Sequence, residues 1–264
     1  GESDTRSGNN IANIYQRVCS TSPPIRTMTT HNAEVAKIAL NSYLTMKMTF
    51  ANVLAEICEK IPGGNSDRVS SALGLDPRIG RKFLSGGLAY GGPCFPRDNR
   101  AFAKMAEDLG ISALQAKVTE EVNIQQSNRI VEMVTGILES DPKDHKIAIL
   151  GVTYKQSTDL IIESPVLPII RTLVEQEALV SIFDPNGINN TKVHFGTVLD
   201  YPSTVEECIN GAALTIVAMP WLQLRDCKWK GTSAILDCWR FLDPKDFKHR
   251  QLSYHAIGVN NELH

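Results

Sequence analysis

The residues best suited to chemistry lie in one glycine-rich stretch, residues 86–98, which reads Gly-Gly-Leu-Ala-Tyr-Gly-Gly-Pro-Cys-Phe-Pro-Arg-Asp. Its glycines let the backbone approach a ligand closely, and its prolines stiffen the turn before a predicted helix. Cys94 would begin that helix, where the helix dipole and the charge of Arg97 favour a thiolate. Cys94 is therefore a candidate nucleophile. The alternative is a buried structural cysteine beside a turn.

Two pairs of polar residues show a spacing of four. Asp98 follows Cys94 at this interval, so in a helix the two share a face and the carboxylate can activate a water beside the sulfur. Lys37 and Asn41 repeat the interval in an earlier segment and offer a charge and an amide donor to a developing oxyanion. The simpler alternatives are an Asp that stabilises a first helical turn and a polar stripe that packs against a neighbouring domain or subunit.

The second half of the chain offers weaker candidates. A strand-like run from Lys146 leads to Lys155, where a phosphate could sit near a helix N-terminus, but the stretch lacks G-x-G-x-x-G. Asp184 follows the next predicted strand and could accept from a ribose hydroxyl or simply close an Asp-Pro turn. The histidines show no ligand spacing, so we predict no metal site. They are His31, His145, His194, His249, His255 and His264.

The candidates in the first half need helices to position them. Residues 33–60 contain neither Gly nor Pro, which predicts one long helix. Its apolar residues occupy most of the circumference, so we expect burial on nearly all sides. Further helices are predicted for residues 97–109 and 113–138, which makes this part of the chain all-helical.

After residue 142 short β-rich runs alternate with helical stretches, which predicts a parallel sheet with helices on both faces. The predicted strands are residues 146–151, 179–183, 213–218, 233–237 and 254–258. The fold class is therefore α/β, with an all-helical central domain followed by a Rossmann-like parallel-sheet domain. We place these domains at residues 31–138 and 139–264, and we predict that residues 1–30 are a linker and remnant of a missing N-terminal domain, with a short helical stretch at about residues 11–18.

Composition restricts the function further. The 264 residues carry a formal charge of −2 with acids and bases interspersed, so nucleic acid and anionic lipid are not expected partners. No apolar run approaches the roughly 20 residues that span a bilayer. Six scattered cysteines without a C-x-x-C pair indicate a reducing environment. We expect a soluble, cytoplasmic protein.

Several motifs together resemble the UDP-glucose/GDP-mannose dehydrogenase family in order and spacing. They are Ala33 to Lys37 with Asn41, Asp76 to Gly80, the glycine-rich loop ending in Cys-Phe-Pro-Arg-Asp, Gly151 to Lys155, Glu163 to Pro165, Phe183 to Pro185, Met219 to Trp221, and Leu236-Asp237. The resemblance covers nearly the whole chain. The opening Gly-Glu is similar to the sequence just after the family's N-terminal dinucleotide-binding domain, so we expect that domain to be missing from this chain.

The resemblance implies a four-electron oxidation at C6 of a nucleotide-linked hexose, from alcohol through aldehyde to carboxylate, with NAD as the cofactor. UDP-glucose is the expected substrate and GDP-mannose the alternative. Cys94 matches the family nucleophile, which carries a thioester. Lys37 and Asn41 match residues that stabilise the C6 oxyanion, and Asp98 matches the carboxylate that assists hydrolysis.

The resemblance also assigns binding roles. Arg97 is expected to contact the cofactor, and the sheet domain is expected to bind the nucleotide sugar. A homodimer through the central helices is implied, in which Arg78 reaches the neighbouring subunit's site. The expected substrate-binding residues are Arg78, Phe83, Tyr90, Gly91, Gly92, Lys155 and Arg240.

The sequence departs from the family pattern at two positions. Ile162 stands where a cofactor-facing Arg is expected, and Trp239 stands where an Arg is frequent. Three interpretations follow: a dehydrogenase, a nucleotide-sugar-binding and dimerisation module, or a degenerate, non-catalytic relative. We favour the first for the complete protein and the second for this chain alone, because a hydride acceptor must be held against C6.

Overall fold

The structure is a computed structural model that describes residues 1–247 and 252–260. The first part is helical, and its elements are α1 (Thr5–Val18), α2 (Thr30–Lys60), α3 (Ser66–Leu73), α4 (Phe95–Asp108) and α5 (Leu114–Leu138). The predicted helices over α2, α4 and α5 are confirmed. Helix α3 was not predicted, because it is short and mostly polar.

The second part is a parallel five-stranded sheet with the order β2-β1-β3-β4-β5. Its elements are β1 (Lys146–Leu150), α6 (Val166–Glu175), β2 (Leu179–Phe183), α7 (Ile188–Phe195), α8 (Val205–Ile209), β3 (Leu214–Val217), β4 (Ala234–Asp237) and β5 (Ser253–Ala256). Short 3-10 helices cover Leu222–Arg225 and Pro244–Asp246. The predicted strands and the α/β fold class are confirmed, and α7 was missed. The domain limits at residues 31, 139 and 264 remain predictions.

Strand β1 shows how the sheet is covered. Ile147 and Ile149 belong to one apolar cluster, to which α6 and α5 contribute, whereas Ala148 and Leu150 belong to a second cluster that includes α8. Because successive side chains of a strand point to opposite faces, both faces of the sheet are buried under helices, as predicted. Ile130 of α5 lies in the first cluster, so this helix joins the two parts.

Helix α2 contradicts the expectation of burial on nearly all sides. Its buried residues are small or polar: Thr45, Thr49, Ala51, Asn52, Ala55 and Cys58. By contrast Leu40, Tyr43 and Phe50 are 58%, 53% and 55% exposed. The polar residues of α2 face α4 and the glycine-rich loop, and among them Asn41 and Asn52 form hydrogen bonds with these two elements. The apolar side chains are therefore left on a face that no described element covers.

The helical stretch predicted near the beginning of the chain is confirmed, but it starts earlier than expected. Helix α1 starts at Thr5, inside the predicted linker, because the Asp4 carboxylate caps it by accepting from the Ser7 amide at 2.9 Å. None of its residues is buried. Among the residues that the structure describes, no helix has the length and apolar character needed to cross a membrane.

Candidate active site

Cys94 is the residue at the N-terminus of α4, and it is an exposed, free cysteine. Its carbonyl accepts the first helical hydrogen bond from the Asp98 amide at 2.8 Å. A proline in the first turn helps to begin the helix at this point. The interpretation of Cys94 as a buried structural residue is therefore wrong. The thiol is accessible beside the positive end of a helix dipole.

The Asp98 carboxylate accepts hydrogen bonds from two other predicted catalytic residues, Lys37 and Asn41. Oδ2 accepts hydrogen bonds from Lys37 Nζ and from Asn41 Nδ2, the latter at 2.6 Å. Oδ1 accepts from Arg97 Nε at 3.0 Å. The carboxylate is only 5% exposed, whereas the Lys37 side chain is 55% exposed. The structure thus brings Lys37, Asn41 and Arg97 together around Asp98, one helical turn from Cys94.

The electrostatics of the cluster favour an ionised Asp98. Burial by itself would raise the pKa of Asp98, but hydrogen bonds from Lys37, Asn41 and Arg97 outweigh it and lower the pKa below its ordinary value. The pKa of Arg97 is raised, mainly by Asp98 and to a smaller extent by Cys94. The Arg97 guanidinium therefore interacts with both the Cys94 thiol and the Asp98 carboxylate.

Three buried amide side chains hold the glycine-rich loop from the helical side. The Asn123 side chain forms two hydrogen bonds with the backbone of Tyr90: it accepts from the N–H at 2.8 Å and donates to the carbonyl at 3.0 Å. Asn52 accepts from Gly87 N–H at 2.9 Å, and Gln126 donates to the Gly87 carbonyl at 2.5 Å. The sequence analysis missed Asn123 and Gln126. They gave no signal in the sequence, because helix α5 carries five amide side chains and about half of its residues are polar.

We expect Asn123→Ala to destabilise the protein by about 2–4 kcal/mol, because it leaves both backbone groups of Tyr90 buried without their partner. Urea unfolding measures the loss. Asn128→Ala is the matched control, since Asn128 is exposed on the same helix. Equal stability of the two variants would show that the double hydrogen bond does not fix the loop.

The sheet side of the loop explains why glycines are required. A Cβ on Gly92, whose φ is +82°, would lie 2.3 Å from the Tyr154 ring. A Cβ on Gly87 would lie 2.8 Å from the Trp239 indole. Both distances are far below van der Waals contact, so neither position has room for a side chain, and the predicted close approach to a ligand remains a prediction. The approaching groups belong to the sheet domain.

A cleft of about 250 Å³ separates the loop from the carboxyl ends of the strands. Its far wall follows β1, β3 and β4 and consists of Thr153, Tyr154, Lys155, Ala218, Met219 and Trp239. The strand order changes direction between β1 and β3, and open parallel sheets bind ligands at such a switch point. Phe95, the residue after Cys94, lines the near wall. Cys94 is not itself a lining residue, but it directly precedes Phe95 in the chain.

Lys155 is exposed at this cleft, with its ammonium 5.5 Å from the centroid of the Tyr154 ring. The expected helix N-terminus beside it is absent from the described residues that follow, since α6 begins only at Val166. That prediction was wrong because a long turn, not a helix, follows β1. A helix dipole therefore does not add to the lysine charge at this position.

Asp184 has a structural role. Its buried carboxylate accepts from the amides of Val152 and Thr153 at 2.8 and 3.1 Å, and from those of Asn186 and Gly187, both at 2.8 Å. Both oxygens are thus used within the protein, which supports the turn interpretation over the ribose contact. The carboxylate fixes the turn that leads to the cleft wall.

Arg78 and Phe83 lie toward the outside of the site. The Arg78 side chain is 87% exposed and pairs with Asp76 at 2.6 Å. Phe83 is 43% exposed, has a left-handed φ of +61°, and meets Phe95 edge-on with ring centroids 6.2 Å apart. Neither residue contacts the Asp98 cluster. Their substrate-binding roles remain predictions.

Arg240 is held by contacts within the protein, and its substrate-binding role remains a prediction. Its side chain is 9% exposed and has left-handed backbone, φ +54°. It donates to the Asp67 carboxylate at 2.7 Å, to the Ile257 carbonyl at 2.7 Å and to the Gly86 carbonyl at 2.9 Å. Arg240 therefore ties the sheet domain to α3 and to the start of the glycine-rich loop. The structure does not direct it into the cleft.

The two departures from the family pattern lie on different sides of the loop. Trp239 lines the cleft, and its indole N–H donates to the Ala218 carbonyl at 2.8 Å. Ile162 is 53% exposed and borders a separate cavity of about 620 Å³ beside Arg100 and Glu163. Trp239 thus shapes the candidate substrate site, whereas Ile162 leaves an apolar surface where a charge was expected.

Within residues 1–247 and 252–260, no group of three His, Cys, Asp or Glu side chains is arranged to hold a metal ion. His249 and His264 lie outside the described residues.

Fold and site together define a two-part α/β protein, with a cleft at the switch point of a doubly wound sheet and an exposed thiol on the helical part. Two family profiles match this chain. The central domain of the UDP-glucose/GDP-mannose dehydrogenase family matches residues 31–125, and the family's UDP binding domain matches residues 148–244. The chain belongs to this family.

Individual proteins that are similar to this chain are named as dehydrogenases of the same kind. A UDP-glucose 6-dehydrogenase of Rickettsia felis is 34% identical over 233 residues, covering 86% of this chain and 52% of the relative. One of Rhizobium meliloti is 35% identical over 190 residues, covering 72% and 43%. The solved structure of a UDP-glucose dehydrogenase from Pyrobaculum islandicum aligns with a TM-score of 0.86 and 27% identity, covering 98% of this chain and 58% of that one. The chain thus spans about half the length of the curated relatives it matches.

Proposed function

We propose that this chain supplies the nucleophile and the nucleotide-sugar site of an NAD-dependent nucleotide-sugar 6-dehydrogenase that oxidises UDP-glucose to UDP-glucuronate. The observation that carries the proposal is the meeting of Lys37, Asn41 and Asp98 one turn from the exposed Cys94 thiol, which is next in sequence to a residue that lines the cleft. The names of the relatives and the UDP binding profile favour UDP-glucose over GDP-mannose.

The side chains of this cluster suit the expected steps. The Cys94 thiolate adds to the C6 aldehyde, and Lys37 and Asn41 donate hydrogen bonds to the resulting oxyanion. Their nitrogens lie close together in the structure, because both donate to Oδ2 of Asp98. Loss of hydride leaves a thioester on Cys94. Asp98 then takes a proton from water, whose oxygen attacks the thioester carbon and releases the thiol. One alcohol, one water and two NAD⁺ give one carboxylate, two NADH and three protons.

NAD supplies hydride acceptance at C6, once from the alcohol and once from the thiohemiacetal. Arg97 fits a contact with its phosphates, because the side chain is 63% exposed while it stays anchored to Asp98. Ile162, by contrast, offers no charge. We therefore assign only Arg97 of this chain to the cofactor and expect the chain alone to be inactive.

Calorimetry with this chain tests the proposal. We expect UDP-glucose to bind more tightly than GDP-mannose and NAD⁺ to give no detectable heat. Lys155→Ala should weaken UDP-glucose binding about tenfold, since it removes a charge that faces the phosphates. Lys192→Ala is the matched control, because Lys192 also lies over a tyrosine ring, at 5.3 Å, but on α7. Tighter binding of GDP-mannose, or micromolar binding of NAD⁺, would contradict the proposal.

We also propose a homodimer through the uncovered apolar face of α2, which includes Leu40, Tyr43 and Phe50. Phe50→Glu places a charge in that face and should convert dimers to monomers in sedimentation velocity experiments. Val193→Glu is the control, because Val193 is 89% exposed on α7. A parent chain that sediments as a monomer at high concentration would refute the dimer.

Nucleotide-sugar binding without turnover is a second candidate function. The exposed, apolar Ile162 of the sheet domain favours it, because this position is expected to carry a cofactor-facing Arg. The thiol distinguishes the two candidates. A binding module needs no reactive Cys94, whereas the enzyme requires one.

A further inference from the structure

Glu163, at the turn before α6, contacts the glycine-rich loop and the nucleophile's helix at once. Its carbonyl accepts from the Gly92 amide at 3.1 Å, two residues before Cys94. Its carboxylate accepts two hydrogen bonds from Arg100 of α4, both at 3.1 Å. One residue of the sheet domain therefore holds the chain on both sides of the thiol.

The backbone of Glu163 is unusual as well. Its φ of +51° places a non-glycine residue in the left-handed region, which costs free energy. Such a conformation persists only when its surroundings fix it. Here two contacts hold the residue: its carboxylate forms the two-pronged pair with Arg100, and its carbonyl accepts from the Gly92 amide.

Arg100 is itself fixed by a network that returns to the loop. Its Nε donates to Glu120 Oε1 at 3.0 Å, and Glu120 Oε2 accepts from the Tyr90 hydroxyl at 3.0 Å. Burial, followed by the charge of Glu120, raises the pKa of Tyr90, so the phenol remains a donor. Tyr90, Glu120, Arg100 and Glu163 thus form one chain of contacts from the loop through α5 and α4 to the sheet domain.

The fit between the loop and the Glu163 turn is close. A Cβ on Gly91 would lie 2.1 Å from the Glu163 carbonyl oxygen and 2.8 Å from Pro165 Cδ. The path of the loop toward Cys94 is therefore shaped by the position of this turn.

We propose that Glu163 is a positioning residue for Cys94: through Gly92 and Arg100 it fixes the glycine-rich loop and the first turns of α4 against the sheet domain. The inference rests on the nucleophile role of Cys94 in the proposed function. It adds that the thiol reaches its reactive position only while the nucleotide-binding domain is docked through this residue. The position of the catalytic thiol thereby depends on the position of the nucleotide-binding domain.

The test is the rate at which iodoacetamide alkylates Cys94 in the ligand-free chain, followed by peptide mass spectrometry from about pH 6 to about pH 9. Cys19, on the exposed helix α1, is the internal reference thiol. We expect Glu163→Gln and Arg100→Gln each to lower the Cys94 rate near pH 7 about threefold or more, with the Cys19 rate unchanged. The double variant should be no slower than either single one, since both act through one pair.

Asp108→Asn is the matched control, because Asp108 is an acid at the far end of α4 that pairs with Lys104 at 2.9 Å. It should leave both thiol rates unchanged. Arg100→Lys keeps the charge but not the two-pronged geometry, and should restore part of the rate lost in Arg100→Gln. If Glu163→Gln proves unfolded by circular dichroism, the two Arg100 variants carry the test, since they leave residue 163 intact.

Unchanged Cys94 rates in Glu163→Gln and Arg100→Gln would overturn the inference, as would fully additive losses in the double variant. Failure of the proposed function is seen separately. It would show as absent UDP-glucose binding by the parent chain, which does not enter the ligand-free alkylation rate.

Discussion

Cys94→Ser is expected to lower formation of UDP-glucuronate on the order of 10³-fold or more in the complete protein supplied with NAD and UDP-glucose. A serine hydroxyl is not ionised near neutral pH, so it adds to the C6 aldehyde poorly. An ester formed on it also hydrolyses more slowly than a thioester. Coupled measurement of NADH and acid gives the rate, and mass spectrometry should find a covalent adduct on the substituted side chain.

Cys19→Ser is the control for this prediction, because Cys19 ends the exposed helix α1 and has no role in the cleft. It should leave turnover unchanged. Acid production that survives Cys94→Ser would show that the thiol is not the nucleophile, and would support the binding-module interpretation.

Thiol reactivity gives a second readout of the same assignment. Burial raises the pKa of Cys208 to about 11 and also raises the pKa of Cys58, whereas Cys94 is exposed at a helix N-terminus. Iodoacetamide should therefore label Cys94 first, and UDP-glucose should protect it. Preferential labelling of Cys58 or Cys208 would contradict the prediction.

The local pattern of the sequence predicted much of this structure. An uninterrupted helical segment gave α2, and alternating β-rich and helical runs gave the parallel sheet. The four-residue spacings of Lys37 with Asn41 and of Cys94 with Asp98 correctly indicated shared helix faces. These features depend on neighbours along one helix or strand, which a sequence displays directly.

Features that depend on distant parts of the chain were missed. Which side of α2 is buried depends on α4 and the glycine-rich loop, whose polar backbone needs Asn52. Likewise Arg240 matches a substrate-binding position, but its guanidinium meets Asp67, a residue far away in sequence. Hydrophobicity and motif position do not encode such pairings, because they arise only once the two domains are packed together.

Asp98→Asn is expected to slow the second half of the reaction on the order of 10²- to 10³-fold, because the amide cannot take a proton from the attacking water. Lys37 and Asn41 remain, so the thiol should still react with the aldehyde. The complete protein should then release a burst of NADH followed by a slow phase, with a thioester adduct on Cys94 visible by mass spectrometry. A uniform loss of all phases would instead indicate collapse of the cluster.

The same substitution predicts a change in stability with pH. Because the pKa of Asp98 is lower in the folded protein than its ordinary value, the folded state favours the carboxylate over the acid. Its stabilising contribution is therefore complete above the ordinary pKa of about 3.9 and is lost as the pH falls through the lower, folded value. Asp98→Asn should cost about 1–3 kcal/mol near pH 7, since it weakens hydrogen bonds to a carboxylate that is only 5% exposed.

This cost should shrink as the solution is acidified below about pH 4, where the parent protein loses the same interactions by protonation. Urea unfolding of both proteins across that range measures the difference. Asp108→Asn is the comparison, because its carboxylate lies exposed on the same helix and contributes little. A stability difference between parent and Asp98→Asn that stays constant with pH would mean that Lys37, Asn41 and Arg97 do not lower the pKa of Asp98 in the folded protein, and that these contacts do not stabilise its carboxylate over the acid.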